Sequence, residues 1–297
     1  MPKAAHGKIE LEYDIFGSND DEPLLLIMGL GAQMVLWDEG FCEKLAARRH
    51  RVIRFDNRDI GLSTWLDDLG IPDVAALMAA GARGEPMQVP YTLDDMADDA
   101  VAVLDALGID SAHICGASMG GMIAQAVAIR HPGRVRSMTS IMSTTGNPAV
   151  PPASPEAMAV LMDPMPEDRD SVIERSVKSD GIIGSPAYPA DEAYLRERAG
   201  MLFDRAFHPA GSARQMVAIL AHGNRGPALG KIDIPTLVIH GKADSLVPVE
   251  GGIDTHESVP GSELMLIEGM GHNLPPEIWD EIVAGIAGLT ARAGQAQ

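Results

Sequence analysis

The stretch His113-Ile114-Cys115-Gly116-Ala117-Ser118-Met119-Gly120-Gly121-Met122-Ile123 decides the fold. It reads as an apolar strand, a tight turn with a serine at its apex, and the first turns of a helix. Gly116-Ala117-Ser118-Met119-Gly120 fits the pattern G-x-S-x-G, a strand-to-helix turn that lifts a serine hydroxyl above the C-terminal end of a strand. The bend is so sharp that side chains two residues either side of the serine would collide, so both places hold glycine. The helix that follows points unpaired N–H groups, the positive end of its dipole, at the same spot. A five-residue pattern also arises by chance, so its surroundings must decide what it means.

Upstream, residues 23–28 form a continuous apolar run, the mark of a strand buried on both faces, and the run breaks at Gly29-Leu30-Gly31. A helical pattern follows to about Arg48, with Trp37, Phe41 and Leu45 on one face. Residues 9–15 alternate as a half-exposed strand, and residues 51–55 form another, ending in the loop Asp56-Asn57-Arg58-Asp59-Ile60-Gly61-Leu62-Ser63. Asp56, Arg58 and Asp59 look chemical, but a structural role in a hydrogen-bonded loop is the favoured reading. Residues 66–90, rich in Gly and Pro, are expected to be irregular. Thr92 is set to cap a helix, with Asp95 three residues on, and Gly108 ends it.

Downstream, a helix is predicted from Met119 to about Arg130, stopped by His131-Pro132-Gly133, and then a strand over 135–142. From about Thr144 prolines multiply and strand signals vanish. Residues 146–229 therefore read as a helical insertion between a first core segment, 1–145, and a second, 230–297. Strands are predicted at 234–241 and 262–267, and a closing helix at about 276–289, beyond which the polar C-terminal end is expected to fray. Alternating buried strands and helices imply an α/β fold, a mostly parallel sheet covered on both faces. Such a sheet carries its chemistry in loops after the strands.

That rule selects partners for Ser118. A serine hydroxyl needs an adjacent base, and enzymes with this turn order their parts Ser, acid, His. Asp244 directly follows the buried strand that ends at His240-Gly241, whereas Asp233 precedes it, at the wrong end of the sheet. After Asp244 only His256 and His272 remain; His256 falls in a predicted helix, and His272 follows the last strand on Gly269-Met270-Gly271. The candidate triad is Ser118 as nucleophile, His272 as base and Asp244 as its orienting acid. The oxyanion of a tetrahedral intermediate needs fixed donors. The backbone N–H of Met119 and that of Leu30 are assigned, with Gly31 as second choice in the latter loop. Gly29, Gly31, Trp37, Met122, Leu246, Val247 and Asn273 are the expected pocket lining.

Bulk properties narrow the partners. The formal net charge of −19 repels nucleic acid and anionic lipid, so neither is expected. Two cysteines, Cys42 and Cys115, make no disulfide framework, and the N-terminal residues lack the apolar stretch of a signal peptide. A cytoplasmic protein is the expectation; the candidate triad adds a small-molecule ester as the expected partner, for a monomer or homodimer. No H-E-x-x-H or Cys/His cluster suggests a metal, and Gly29-Leu30-Gly31 is no nucleotide fingerprint because residue 34 is Met. No metal and no cofactor are expected.

These residues together resemble the α/β-hydrolase superfamily. The likeness rests on residues 25–31, on 55–63, on the serine turn, on 241–248, and on Gly269-Met270-Gly271-His272. Within it the chain is similar to the bacterial group of aclacinomycin methylesterase and related carboxylesterases, sharing Met28-Gly29 where many members have His-Gly. The resemblance implies an eight-stranded sheet with a helical cap inserted after the sixth strand; the candidate triad adds the expectation of a serine esterase working through an acyl-enzyme on small-acyl or methyl esters. The same scaffold also hosts C–C bond hydrolases, lactonases, cofactor-free haloperoxidases or perhydrolases, and non-catalytic ligand receptors.

Overall fold

Eight strands form one sheet in the computed structural model, which describes residues 2–295. They are β1 (Lys3–His6), β2 (Ile9–Phe16), β3 (Glu22–Ile27), β4 (His50–Phe55), β5 (Ala112–Ala117), β6 (Val135–Ile141), β7 (Thr236–Gly241) and β8 (Glu263–Ile267). Their spatial order is β1-β2-β4-β3-β5-β6-β7-β8. Every pair from β4 to β8 is parallel, and β1 and β2 join antiparallel at one edge. The serine turn therefore leaves a strand deep inside the sheet, and β5 is buried along its whole length.

Side chains of a strand alternate between faces, and the continuous apolar runs exist because both faces are covered. Leu25, Ile27 and Ile114 pack on one side with α3 (Leu93–Ala106) and α4 (Met119–Arg130). Leu24, Leu26 and Cys115 pack on the other with α1 (Glu39–Ala46) and α11 (Trp279–Gln295). Thr92 and Asp95 close a reciprocal capping box on α3. Both cysteines are buried free thiols.

Between β6 and β7 lie α5 (Pro155–Met162), α6 (Arg169–Ile183), α7 (Glu192–Arg205), α8 (Pro209–His222) and the short α9 (Gly226–Leu229). The segment contains no strand. Then α10 (Val249–Ser258), which holds His256, connects β7 to β8.

Three elements depart from the sequence reading. The edge strand β1 has too few residues to display alternation. Residues 66–90 are not wholly irregular, since α2 (Val74–Ala82) lies within them, its N-terminus capped by Asp73 accepting from the Ala76 N–H. Apolar all round, α2 has no polar face to produce a helical period. The closing helix also runs further than expected, to Gln295. The last two positions, in the tail expected to fray, lie outside the described residues.

Candidate active site

Ser118 links β5 to α4 with φ 56° and ψ −120°. Positive φ at a residue with a side chain is strained, at a cost of about 1–3 kcal/mol. The surroundings impose it. The Ser118 N–H donates to Ile141 O at 2.9 Å, and Ser143 Oγ donates to Ser118 O at 2.8 Å. The flanking glycines are required by approach: a Cβ at Gly116 would sit 2.0 Å from Gly120 O, and one at Gly120 2.0 Å from Ile27 O.

The structure brings Asp244, in the loop after β7, and His272, in the loop after β8, to this serine. His272 Nδ1 lies 2.7 Å from Asp244 Oδ2, and His272 Nε2 lies 3.0 Å from Ser118 Oγ. The carboxylate can only accept, so Nδ1 carries the proton and Nε2 offers its lone pair to the hydroxyl. The other oxygen, Asp244 Oδ1, accepts from the Leu246 and Val247 N–H groups, each at 2.9 Å. The Asp244 carboxyl is wholly buried and the His272 side chain 8% exposed.

One contributor escapes sequence reasoning. His240, buried at the end of β7, donates from Nε2 to Val247 O at 2.8 Å and so braces the turn whose amides hold Asp244. Burial pushes its pKa down, which keeps it a neutral donor. The only available signal is that it stands four residues before Asp244.

The Gly29-Leu30-Gly31 loop lies against Ser118: a Cβ at Gly29 would stand 3.1 Å from Ser118 Cβ and 3.6 Å from its Oγ. Met119 is the first residue of α4, so no helical carbonyl reaches its N–H. The Leu30 N–H has no acceptor among the described residues. The second choice, Gly31, is different, because its N–H is already donated to Gln215 Oε1 at 2.9 Å.

Above the serine is a cavity of about 720 Å³. Gly29, Leu30, Gly31, Trp37, Met119, Met122, Leu246, Val247 and Asn273 all border it from the sheet side. The segment between β6 and β7 adds Met158, Phe203 and Met216 from its helices and Phe207 from the α7–α8 connection, which sequence reading could not place. Asn273 spends its amide on the inserted segment: Nδ2 donates to Asp180 at 3.2 Å, and Oδ1 accepts from Ser185.

The charged loop after β4 is structural and reaches further than its own backbone. Asp56 accepts the Met34 N–H at 2.7 Å and pairs with Arg205 at 2.7 Å. Arg58 pairs with Asp99 at 2.6 Å, and Asp59 pairs with Arg214. Arg205 and Arg214 belong to α7 and α8, so the loop fastens the inserted segment to the sheet. Among the described residues, no group of three or more His, Cys, Asp or Glu could hold a metal, and no helix is long and apolar enough to cross a membrane.

Residues 22–181 match the family of the α/β-hydrolase fold. The chain belongs to that family. This α/β hydrolase is 29% identical over 304 residues to rhodomycin D methylesterase DauP of Streptomyces sp. strain C5, covering 93% of each chain. It is 27% identical over 298 residues to the putative carbamate hydrolase RutD of Azorhizobium caulinodans, covering 97% of this chain and 98% of that one. Its fold matches the enol-lactonase of Burkholderia xenovorans LB400 with a TM-score of 0.74 at 22% identity, covering 98% of this chain and 100% of the other.

Proposed function

We propose that this α/β hydrolase is a serine esterase that cleaves methyl or other small esters through an acyl-enzyme. The observation that carries the reading is the unbroken relay from Asp244 Oδ2 to His272 at 2.7 Å and from His272 Nε2 to Ser118 Oγ at 3.0 Å, opening onto an apolar cavity. In this reading Ser118 Oγ attacks the ester carbonyl while His272 Nε2 takes its proton. Asp244 holds the imidazole in the required tautomer and stabilises the imidazolium. The oxyanion is received by the N–H groups of Leu30 and Met119, each such donor being worth roughly 3 kcal/mol. His272 returns the proton to the leaving alkoxide, then activates a water that attacks the acyl carbonyl and frees the acid and Ser118.

Residues 146–229 are taken as a cap over the core formed by 1–145 and 230–297. The supporting feature is the shared cavity, which the sheet loops and the inserted helices line together. Its volume and its methionines and phenylalanines suit an ester with a bulky apolar acid part, and the methylesterase named above supports a small alcohol. The test compares turnover of methyl and p-nitrophenyl esters with that of vinylogous diketones, in the wild type and in Ser118→Ala. The reading expects ester turnover that vanishes in the variant. Preferential diketone cleavage would favour C–C hydrolysis on the same residues.

A further inference from the structure

The donor loop beside Ser118 is a β-turn. Gly29 O accepts from the Ala32 N–H at 3.3 Å, and the third residue, Gly31, has φ 65°. Left-handed backbone at that position defines a type II turn, and rotating the central peptide, between Leu30 and Gly31, converts type II to type I. A turn of this kind holds one form only if something holds the central peptide. The neighbouring peptide carries the Leu30 N–H, so the donor and the turn move together.

The loop after β4 supplies part of that restraint: Asn57 Nδ2 donates to Met28 O at 2.9 Å, fixing the chain where it leaves β3. It supplies no acceptor for the central peptide. That acceptor comes from α8, 184 residues further along the chain, where Gln215 Oε1 takes the Gly31 N–H at 2.9 Å. Gln215 is wholly buried and is anchored at its other end, Nε2 donating to Arg58 O at 3.0 Å. Arg58 is in turn held by Asp99. The amide thus bridges the loops after β3 and β4 with both ends satisfied and no freedom to turn. A Cβ at Gly31 would meet Ser212 Oγ at 2.7 Å, so α8 packs close against the turn and leaves no room for a side chain there.

The geometry points to Gln215 as a positioning residue for the oxyanion site. By claiming the Gly31 N–H it locks the turn in its type II form and leaves the Leu30 N–H as the loop's free donor beside Ser118. The oxyanion site is then complete only while α8 is seated on the loops after β3 and β4. This inference rests on the serine esterase reading. Gln215 touches no reacting atom; its effect passes through Leu30, so its loss should weaken the transition state more than the bound substrate.

The experiment uses the full chain with Gln215→Met, which keeps the length and loses both hydrogen bonds. Turnover of a p-nitrophenyl ester and affinity for a phenylboronic acid, which forms a tetrahedral adduct on the serine, are measured beside the unfolding midpoint. The inference expects kcat to fall about tenfold to a hundredfold and boronate affinity to fall in step, with KM within about twofold. A lowered unfolding midpoint with wild-type kcat and boronate affinity would mean mere packing and would overturn it. Gln215→Asn, one methylene too short to span both partners, is read the same way should the first variant not fold. A fluorophosphonate label on Ser118 and the inactivity of Ser118→Ala separate the two levels. If Ser118→Ala keeps wild-type turnover, both readings fall; if it is dead while Gln215→Met keeps wild-type kcat, the Gln215 inference alone falls.

Discussion

Arg214 on α8 and Asp59 in the loop after β4 form a two-pronged ion pair across the junction of sheet and inserted helices. Arg214 Nε lies 2.8 Å from Asp59 Oδ2 and Nη2 lies 2.7 Å from Oδ1, with both side chains wholly buried. Removing one member of such a pair leaves an uncompensated buried charge, at a cost of roughly 3–5 kcal/mol. Exposed Asp67, 3.2 Å from Arg214 Nη2, stays as a weaker partner. Asp59→Ala is therefore expected at the low end, about 3 kcal/mol less stable in urea unfolding. A loss under about 1 kcal/mol would show that the pair contributes only specificity of docking.

Gly29→Ala separates activity from folding. The added methyl would lie 3.1 Å from Ser118 Cβ, in the space beside the hydroxyl, while the backbone there is not left-handed. The expected result is a fall in kcat of about tenfold or more with the thermal midpoint within a few degrees of wild type. Unchanged kcat would place the reacting carbonyl elsewhere.

Buried His113 sets an acid limit on stability. Its Nδ1 lies 2.8 Å from Ser137 Oγ, and burial pushes its pKa down to about 4 from 6.5; His50, 6.4 Å away ring to ring, is also lowered by burial. In the unfolded chain both histidines bind protons more readily, so the stability they support is complete above pH 6.5 and falls as pH drops toward 4. His113 alone accounts for a slope of up to about 1.4 kcal/mol per pH unit in that window. Urea unfolding at stepped pH should show the decline, and His113→Gln should flatten it. An identical slope in the variant would contradict the assignment.

Much of the fold was legible because buried parallel strands announce themselves as apolar runs between turn residues. Leu24, Leu25, Leu26 and Ile27 divide between the two faces of the sheet as such a run requires. Ser118, Asp244 and His272 could be selected from chain order because a parallel sheet puts every post-strand loop at the same end of the strands. What stayed hidden depends on contacts distant in sequence. Arg205, Arg214 and Gln215 read as ordinary polar residues of helices, and nothing local reveals that they reach Asp56, Asp59 and Gly31. The polar side of His240 was hidden for the same reason, since its partner is a carbonyl in a turn.

Asp244→Asn keeps the shape but presents the wrong hydrogen-bonding group to His272 Nδ1 and favours the wrong tautomer. The expected loss in kcat is about 10⁴-fold with the fold intact. A loss under tenfold would remove Asp244 from the relay and direct attention to another acid.

The most direct measurement is kcat/KM for a methyl or p-nitrophenyl ester in the wild type and in Ser118→Ala, with folding of the variant checked by its thermal midpoint. Loss of the attacking oxygen should reduce kcat/KM by about 10⁴-fold or more at an unchanged midpoint. A folded Ser118→Ala enzyme within tenfold of wild type would contradict the serine nucleophile and the esterase mechanism built on it.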